Sequence, residues 1–234
     1  MMHTPPETVV MSVGGSLIVP DQIDCLFLAD LKNLVEHQHT SFGRRFVIIA
    51  GGGKTARRYQ DAAATVTELD PEDLDWMGIH ATRLNGHLLR TIFREIAYPE
   101  MITNPDDVRN VPSDAPLIIA AGHRPGASTD LRAVQIATIT GARKLVNLSN
   151  IDYVYTDDPK QNPHAEKIAD IRWDDFMKLI PTEWNPGLSS PFDPVAAREA
   201  KAHGLEVSII NGARLDELEH YLDGRPFMGT RIHA

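Results

Sequence analysis

Residues 46–58, Phe-Val-Ile-Ile-Ala-Gly-Gly-Gly-Lys-Thr-Ala-Arg-Arg, carry a buried-strand pattern into three glycines and then a basic, helix-forming stretch. That pattern outlines an anion cradle. Glycines allow close backbone approach and positive φ, so the amides that open the next helix can point at a phosphate, with Lys54, Arg57 and Arg58 adding charge. Two familiar motifs nearly fit. Gly53-Lys54-Thr55 imitates the end of a P-loop, but the first glycine of that motif would fall on Ile48, so the P-loop reading fails. Gly51-x-Gly53-x-x-Ala56 satisfies a loose dinucleotide fingerprint, yet it follows what reads as the second strand, whereas that fingerprint follows the first. The dinucleotide reading stays as a competitor. Two aspartates could add catalytic carboxylates. Asp130 lies in Pro125-Gly-Ala-Ser-Thr-Asp-Leu131 and Asp193 in Ser-Ser-Pro-Phe-Asp-Pro-Val, each at an expected helix start. Capping of orphan amides would explain either alone. They share a mechanism only if the fold brings both to one cleft.

The elements that must position these residues read as alternating strands and helices. Apolar runs at Val9–Val13, Phe46–Ala50, Leu117–Ala121, Lys144–Leu148 and Glu206–Ile210 predict strands. Helical patterns run over Cys25–His37, Thr55–Thr65, Leu74–Ala97, Leu131–Thr140, Val195–His203 and Leu215–Leu222. Such alternation predicts an α/β protein whose mainly parallel sheet is covered on both faces, with ligands beyond the carboxyl ends of the strands. Polar or glycine-rich segments follow four strands in turn: Gly14-Gly15-Ser16, Gly51-Gly52-Gly53, Gly122-His123-Arg124-Pro125-Gly126 and Ser149-Asn150-Ile151-Asp152. Thr156–Lys167 is expected as an ordered hairpin or loop, and Pro181–Pro194 as a loop over the site.

Composition bounds the function. The chain has 234 residues, 42% apolar and 24% charged, ordinary values for a globular protein large enough to be an enzyme. A net charge of −9 argues against a general nucleic-acid or membrane-surface binder. The one cysteine, Cys25, permits no internal disulfide and is expected to be a small buried residue, which suits a cytoplasmic setting. No basic apolar signal segment or membrane-length apolar run is present, and order is expected after the first eight residues. His80 and His87 stand seven residues apart on one helix, too far for shared ligation. They read as partly exposed helix residues.

Taken together, the blocks Ser12–Pro20, Gly51–Tyr59, Asp75–Asn85, Pro125–Asp130, Asn150–Pro159 and Ser189–Ala197 resemble, in order and spacing, the amino acid kinase superfamily. Within it they look most like archaeal-type uridylate (UMP) kinases. The resemblance implies a three-layer αβα sandwich, one domain over 1–234 with an acceptor lobe to about 143 and an ATP lobe from about 144. It implies transfer of the ATP γ-phosphate to UMP, with Mg²⁺ accompanying ATP and no residue named as a metal ligand. Catalytic positions would be Asp130, Asp193 and Lys54. ATP would meet Gly15, Ser16, Gly53, Arg57, Ser149, Asn150, Tyr155 and Asp158. UMP would meet Gly52, Asp75 and the segment Gly122, His123, Arg124, Pro125, Gly126, Ala127 and Ser128. A hexamer built from dimers is also implied, the apolar stripe of the Asp75–Ala97 segment offering a subunit contact. The alternatives are a kinase of the same fold with another phosphate or carboxylate acceptor, and a non-catalytic nucleotide- or oxyanion-binding relative. Ser12 stands where many superfamily members have a lysine, and Tyr153 where the family usually has glycine. Asp75 and the Pro-Gly-Ala-Ser-Thr-Asp loop favour a nucleotide acceptor.

Overall fold

The computed structural model describes residues 7–183 and 190–234. The chain runs through β1 (Thr8–Val13), α1 (Gly15–Ile18), α2 (Cys25–Phe42), β2 (Arg45–Ala50), α3 (Gly53–Ala64) and α4 (Pro71–Ile92). A 3-10 turn at Pro105–Asn110 leads to β3 (Leu117–Ala120), α5 (Thr129–Thr140) and β4 (Lys144–Ser149). The last part holds β5 (Val154–Tyr155), β6 (Lys167–Ile168), β7 (Asp170–Arg172), α6 (Trp173–Phe176), α7 (Pro194–Ala202), β8 (Glu206–Asn211), α8 (Leu215–Leu222) and β9 (Thr230–His233).

Seven strands form one sheet in the order β3-β2-β1-β4-β8-β9-β7. The first four pairings from the β3 side are parallel, and β9 alone runs antiparallel to its neighbour β8. Alternation along each strand sends side chains to two cores. Val10, Val47 and Ile49 pack with α5, α6 and α7, whereas Val9, Met11, Val13, Phe46 and Ile48 pack with α2, α4 and α8. The αβα sandwich follows from that division. Both faces of β1, β2 and β3 are covered, so their runs are apolar without a polar side, at about 1.5–3 kcal/mol per fully buried aliphatic side chain.

Successive strands step outward from β1 to β3, then the chain returns to the other side of β1 to lay down β4. The sheet therefore reverses direction between β1 and β4. Outside the carboxyl ends of these two strands lies the crevice where open α/β sheets bind ligands.

Local sequence sets the helix ends. Asp70 accepts a hydrogen bond from the Asp73 amide (2.8 Å) ahead of Pro71, so α4 starts earlier than its apolar periodicity suggests. It stops at Ile92, short of the expected Ala97, because the chain turns there to bridge Ala97 to Leu117. Thr156–Lys167 is the expected ordered hairpin, closed by antiparallel pairing of β5 with β6. Cys25 corrects the expectation of burial: it is exposed at the first turn of α2, where Asp24 caps the amides of Leu26 and Phe27 and that turn faces solvent. His80 and His87 are exposed on α4, as expected. Residues 184–189 of the expected covering loop, Ser189 among them, lie outside the described residues.

Candidate active site

The loops after β1 and β2 meet back to back. A Cβ on Gly15 would lie 2.1 Å from the Gly53 nitrogen, and one on Gly53 would lie 2.3 Å from the Gly15 carbonyl carbon. Gly53 also has φ +60°, so both space and backbone conformation demand glycine there. Gly52 caps α3 without any side-chain hydrogen bond, so the opening amides of that helix stay available to an anion. Asn85, 3% exposed on α4, holds the turn from behind by donating from Nδ2 to the Gly51 carbonyl at 2.7 Å.

A cavity of about 330 Å³ opens beside these glycines, bounded by Gly52, Gly53, Arg57, Asp75, Ser128 and Asp130, with Asp193 at the same wall. Each border has a local cause. Asp75 on α4 accepts a hydrogen bond from the Gly126 amide (2.7 Å), fastening the loop after β3 to the opposite helix. Gly126 takes φ +85° to make that turn. Thr82 receives the Gly122 amide at 2.8 Å, and a Cβ on Gly122 would meet the Thr82 hydroxyl at the same distance. Ser128 caps α5 by accepting from the Leu131 amide at 3.1 Å.

Asp130 and Asp193 do converge, 63 residues apart in the chain. Asp130 accepts from the Ser12 hydroxyl (3.1 Å) with one carboxylate oxygen and from the Asp193 amide (3.3 Å) with the other. Asp193 is 6% exposed and caps α7 through its Oδ1, which accepts from the Ala196 amide at 2.7 Å. Its Oδ2 is buried without a partner among the described residues. No cation among the described residues pairs with either carboxylate within 4.0 Å. Burial first, and the Asp193 charge second, push the Asp130 carboxyl up to about 6. A buried carboxylate oxygen left unsatisfied is costly, and it is suited to a hard cation carried in by substrate. Capping and charge presentation are thus done by different oxygens of one residue.

The other expected residues divide clearly. Gly15 opens α1 against Gly53, and Ser16 follows it in the same turn. Arg57 borders the cavity one turn into α3, whereas Lys54 is exposed in the first turn and does not line it. Arg58 pairs outward with Asp21 at 2.5 Å. Ala127 lines the cavity with Ser128, but His123 and Arg124 do not; they face a separate cavity on the far side of their loop. Pro125 connects those two sides. Ser149, Asn150, Tyr155 and Asp158 sit at or beyond the ends of β4 and β5, across the β1 to β4 reversal, and none of them lines that cavity. Asn150 and Asp158 are exposed, and Asp158 accepts from the Lys160 amide (2.9 Å) within its own turn. Tyr153 turns its ring inward, 9% exposed, beneath the Lys167 ammonium at 5.2 Å.

Sequence reasoning missed three supporting residues. Ser12 and Asn85 are polar side chains in otherwise apolar buried faces, a signal that could have found both. Arg83, which donates to the carbonyls of Gly122 (3.1 Å) and His123 (2.8 Å), had no such signature.

Comparison with known proteins fits this geometry. A uridylate kinase from Pyrococcus abyssi is 32% identical over 203 residues, spanning 86% of this chain and 89% of the relative. One from Pyrobaculum neutrophilum is 30% identical, with 96% of this chain and 98% of that one aligned. The crystal structure of uridylate kinase from Archaeoglobus fulgidus superposes with a TM-score of 0.79 at 23% identity, covering 96% of this chain and 99% of that chain. UMP kinase from Ureaplasma parvum gives the same TM-score at 18% identity, covering 99% and 100%, and at this identity speaks to fold alone. The model of the amino acid kinase family matches residues 7–211, and with a sheet reversing at two convergent glycine loops beside an acidic pair, the chain belongs to that family.

Proposed function

We propose that this enzyme transfers the γ-phosphoryl group of ATP to UMP, giving UDP, with the acceptor in the cavity of about 330 Å³ and ATP beyond the ends of β1 and β4. The observation that carries the reading is the wall built by Arg57, Asp75, the loop 122–128 and the acidic pair around one cavity, in a chain about 30% identical to uridylate kinases over nearly its whole length. Transfer between two phosphates crowds negative charge, and the acceptor oxygen needs no strong base. Positioning and charge neutralisation must therefore do most of the catalysis. Arg57 and the open amides of α3 supply positive potential where the moving group crosses. Asp130 and Asp193 fit Mg²⁺ through the unpartnered Oδ2, and Mg²⁺ arriving with ATP would neutralise charge on the phosphates. Two carboxylates alone make a sparse ligand set, so the phosphates would supply most of the remaining coordination.

In this reading residues 1–143 hold the acceptor and 144–234 hold ATP. The exposed Trp76 (36%) and Leu84 (63%) on α4 support a subunit contact within a hexamer built from dimers. A cytoplasmic setting and a place in pyrimidine nucleotide synthesis belong to the same proposal. The test is ADP release from Mg²⁺-ATP with a panel of nucleoside monophosphates and small acids. UMP should stimulate release most; stimulation by another acceptor without UMP would overturn the reading.

A further inference from the structure

The loop after β3 has a second face. His123 and Arg124 line a cavity of about 440 Å³ shared with Asn104, Arg132, Gln135 and Thr138, and with two carboxylates at its border, Asp106, which pairs with Arg109 at 3.7 Å, and Glu199, which lies 3.8 Å from His203. Arg132 is the unusual member, a guanidinium only 6% exposed on α5. Its Nη1 donates to Gln135 Oε1 at 2.9 Å and its Nη2 to the Arg124 carbonyl at 3.3 Å, both neutral acceptors. Its Nε is buried with no partner among the described residues. Among the described residues no carboxylate lies within salt-bridge reach of Arg132 or Arg124. Burial and the Arg124 charge both act against the charged form of Arg132, and the His123 imidazole is lowered by burial, then by Arg132, Arg124 and Arg83. A buried cation without a counter-charge is costly, and a chain with net charge −9 has carboxylates to spare.

We infer that this cavity is a second anion site, taking a small organic phosphate whose phosphate group meets Arg132 and Arg124 and whose hydroxyls meet Asn104, Gln135 and Thr138. The volume suits a small organic molecule better than a bare ion. Arginine's planar donor array matches a phosphate. Because Arg132 grips the Arg124 carbonyl and Asp75 grips the Gly126 amide, an occupant here bears on the loop whose other face borders the acceptor. The binding claim is independent of the kinase reading; the effect on the acceptor rests on it.

Calorimetry with ribose 5-phosphate, inorganic phosphate and ribose, with and without saturating UMP, tests the site. Ribose 5-phosphate should bind with UMP present, inorganic phosphate more weakly, and ribose not at all. Gln135→Glu places a carboxylate beside Arg132 at nearly constant volume and should weaken that binding about tenfold or more. Arg124→Gln, at an exposed loop position, gives a second reading if Gln135→Glu fails to fold. Binding in either folded variant within about twofold of the parent, or none in the parent, would overturn the proposal. If inorganic phosphate binds as tightly as the ester, the organic part of the assignment falls. Since each variant is compared with its parent without UMP as well, failure of the UMP reading would leave the binding result intact. Ribose 5-phosphate should also shift the KM for UMP in the parent more than in Gln135→Glu; equal shifts would remove the coupling.

Discussion

The two sides of the cleft are built differently. On the acceptor side every loop is tied to a helix: Asp75 to Gly126, Thr82 to Gly122, Arg83 to Gly122 and His123, and Asn85 to Gly51. Across the β1 to β4 reversal, Asp158 lies in an exposed turn bonded mostly within itself, and the exposed Asn150 turn is held at one point, where Asp152 accepts from Asn211 at 2.8 Å. The difference teaches where selectivity resides. A pre-formed wall discriminates by shape before chemistry begins, while a side with fewer ties to a helix can adapt; in the proposed reading that side takes the nucleotide that brings its own phosphates.

The comparison breaks most severely where the two sides touch. Gly53→Ala should lower kcat/KM by about 100-fold or more, because the new Cβ would have to displace backbone at the transfer point, and steady-state kinetics with a circular dichroism control would measure it. Asp193→Asn should cut kcat by more than about tenfold with the melting temperature nearly kept, since the amide oxygen can still cap α7; an unchanged rate would reduce Asp193 to a helix cap. Asp75→Asn should raise the acceptor KM about tenfold and leave the ATP KM within about twofold, which is the sharpest test of one-sided rigidity.

Smaller effects test the acidic pair and the donor turns. Asp130 titrates at about 6 when folded, against 3.8 as its ordinary value. Between these values the folded state holds more proton than the unfolded state, so the stability that Asp130 contributes is complete below about pH 4 and is lost as pH rises through about 6. Asp130→Asn should therefore stabilise the fold by about 1–2 kcal/mol at pH 8 and confer no such gain near pH 4, measured by urea unfolding. In the free enzyme kcat/KM should fall below about pH 6 as the same carboxylate takes up a proton. Asn150→Ala, on the adaptable side, should change the ATP KM by no more than about threefold.

Much of this architecture was legible because central parallel strands are buried on both faces. The five apolar runs became β1, β2, β3, β4 and β8 with ends shifted by at most a residue or so. The edge strand β7 and its neighbour β9 were not legible: Thr230 and Ile232 point inward while Arg231 and His233 pair outward with Asp170, leaving too short an apolar signal. Site residues next to glycine were readable because close backbone approach restricts residue type. Contacts made by ordinary polar side chains were not, the Ser12 hydroxyl meeting Asp130 across 118 residues of chain. Lys54 stands next to the same glycines, exposed in the first turn of α3 and outside the lining of that cavity. His123 and Arg124 show that proximity in a loop does not decide which face of it a side chain serves.

The contact between Gly15 and Gly53 has an evolutionary consequence. Each position is closed by backbone of the other, so a larger residue at either one adds volume to a place with no side chain to shrink. Compensation by a second substitution is therefore unavailable at that pair. Sequence drift that keeps this contact must run around these two glycines, and the spacing between the loops stays set by backbone while the side chains of the surrounding walls can vary.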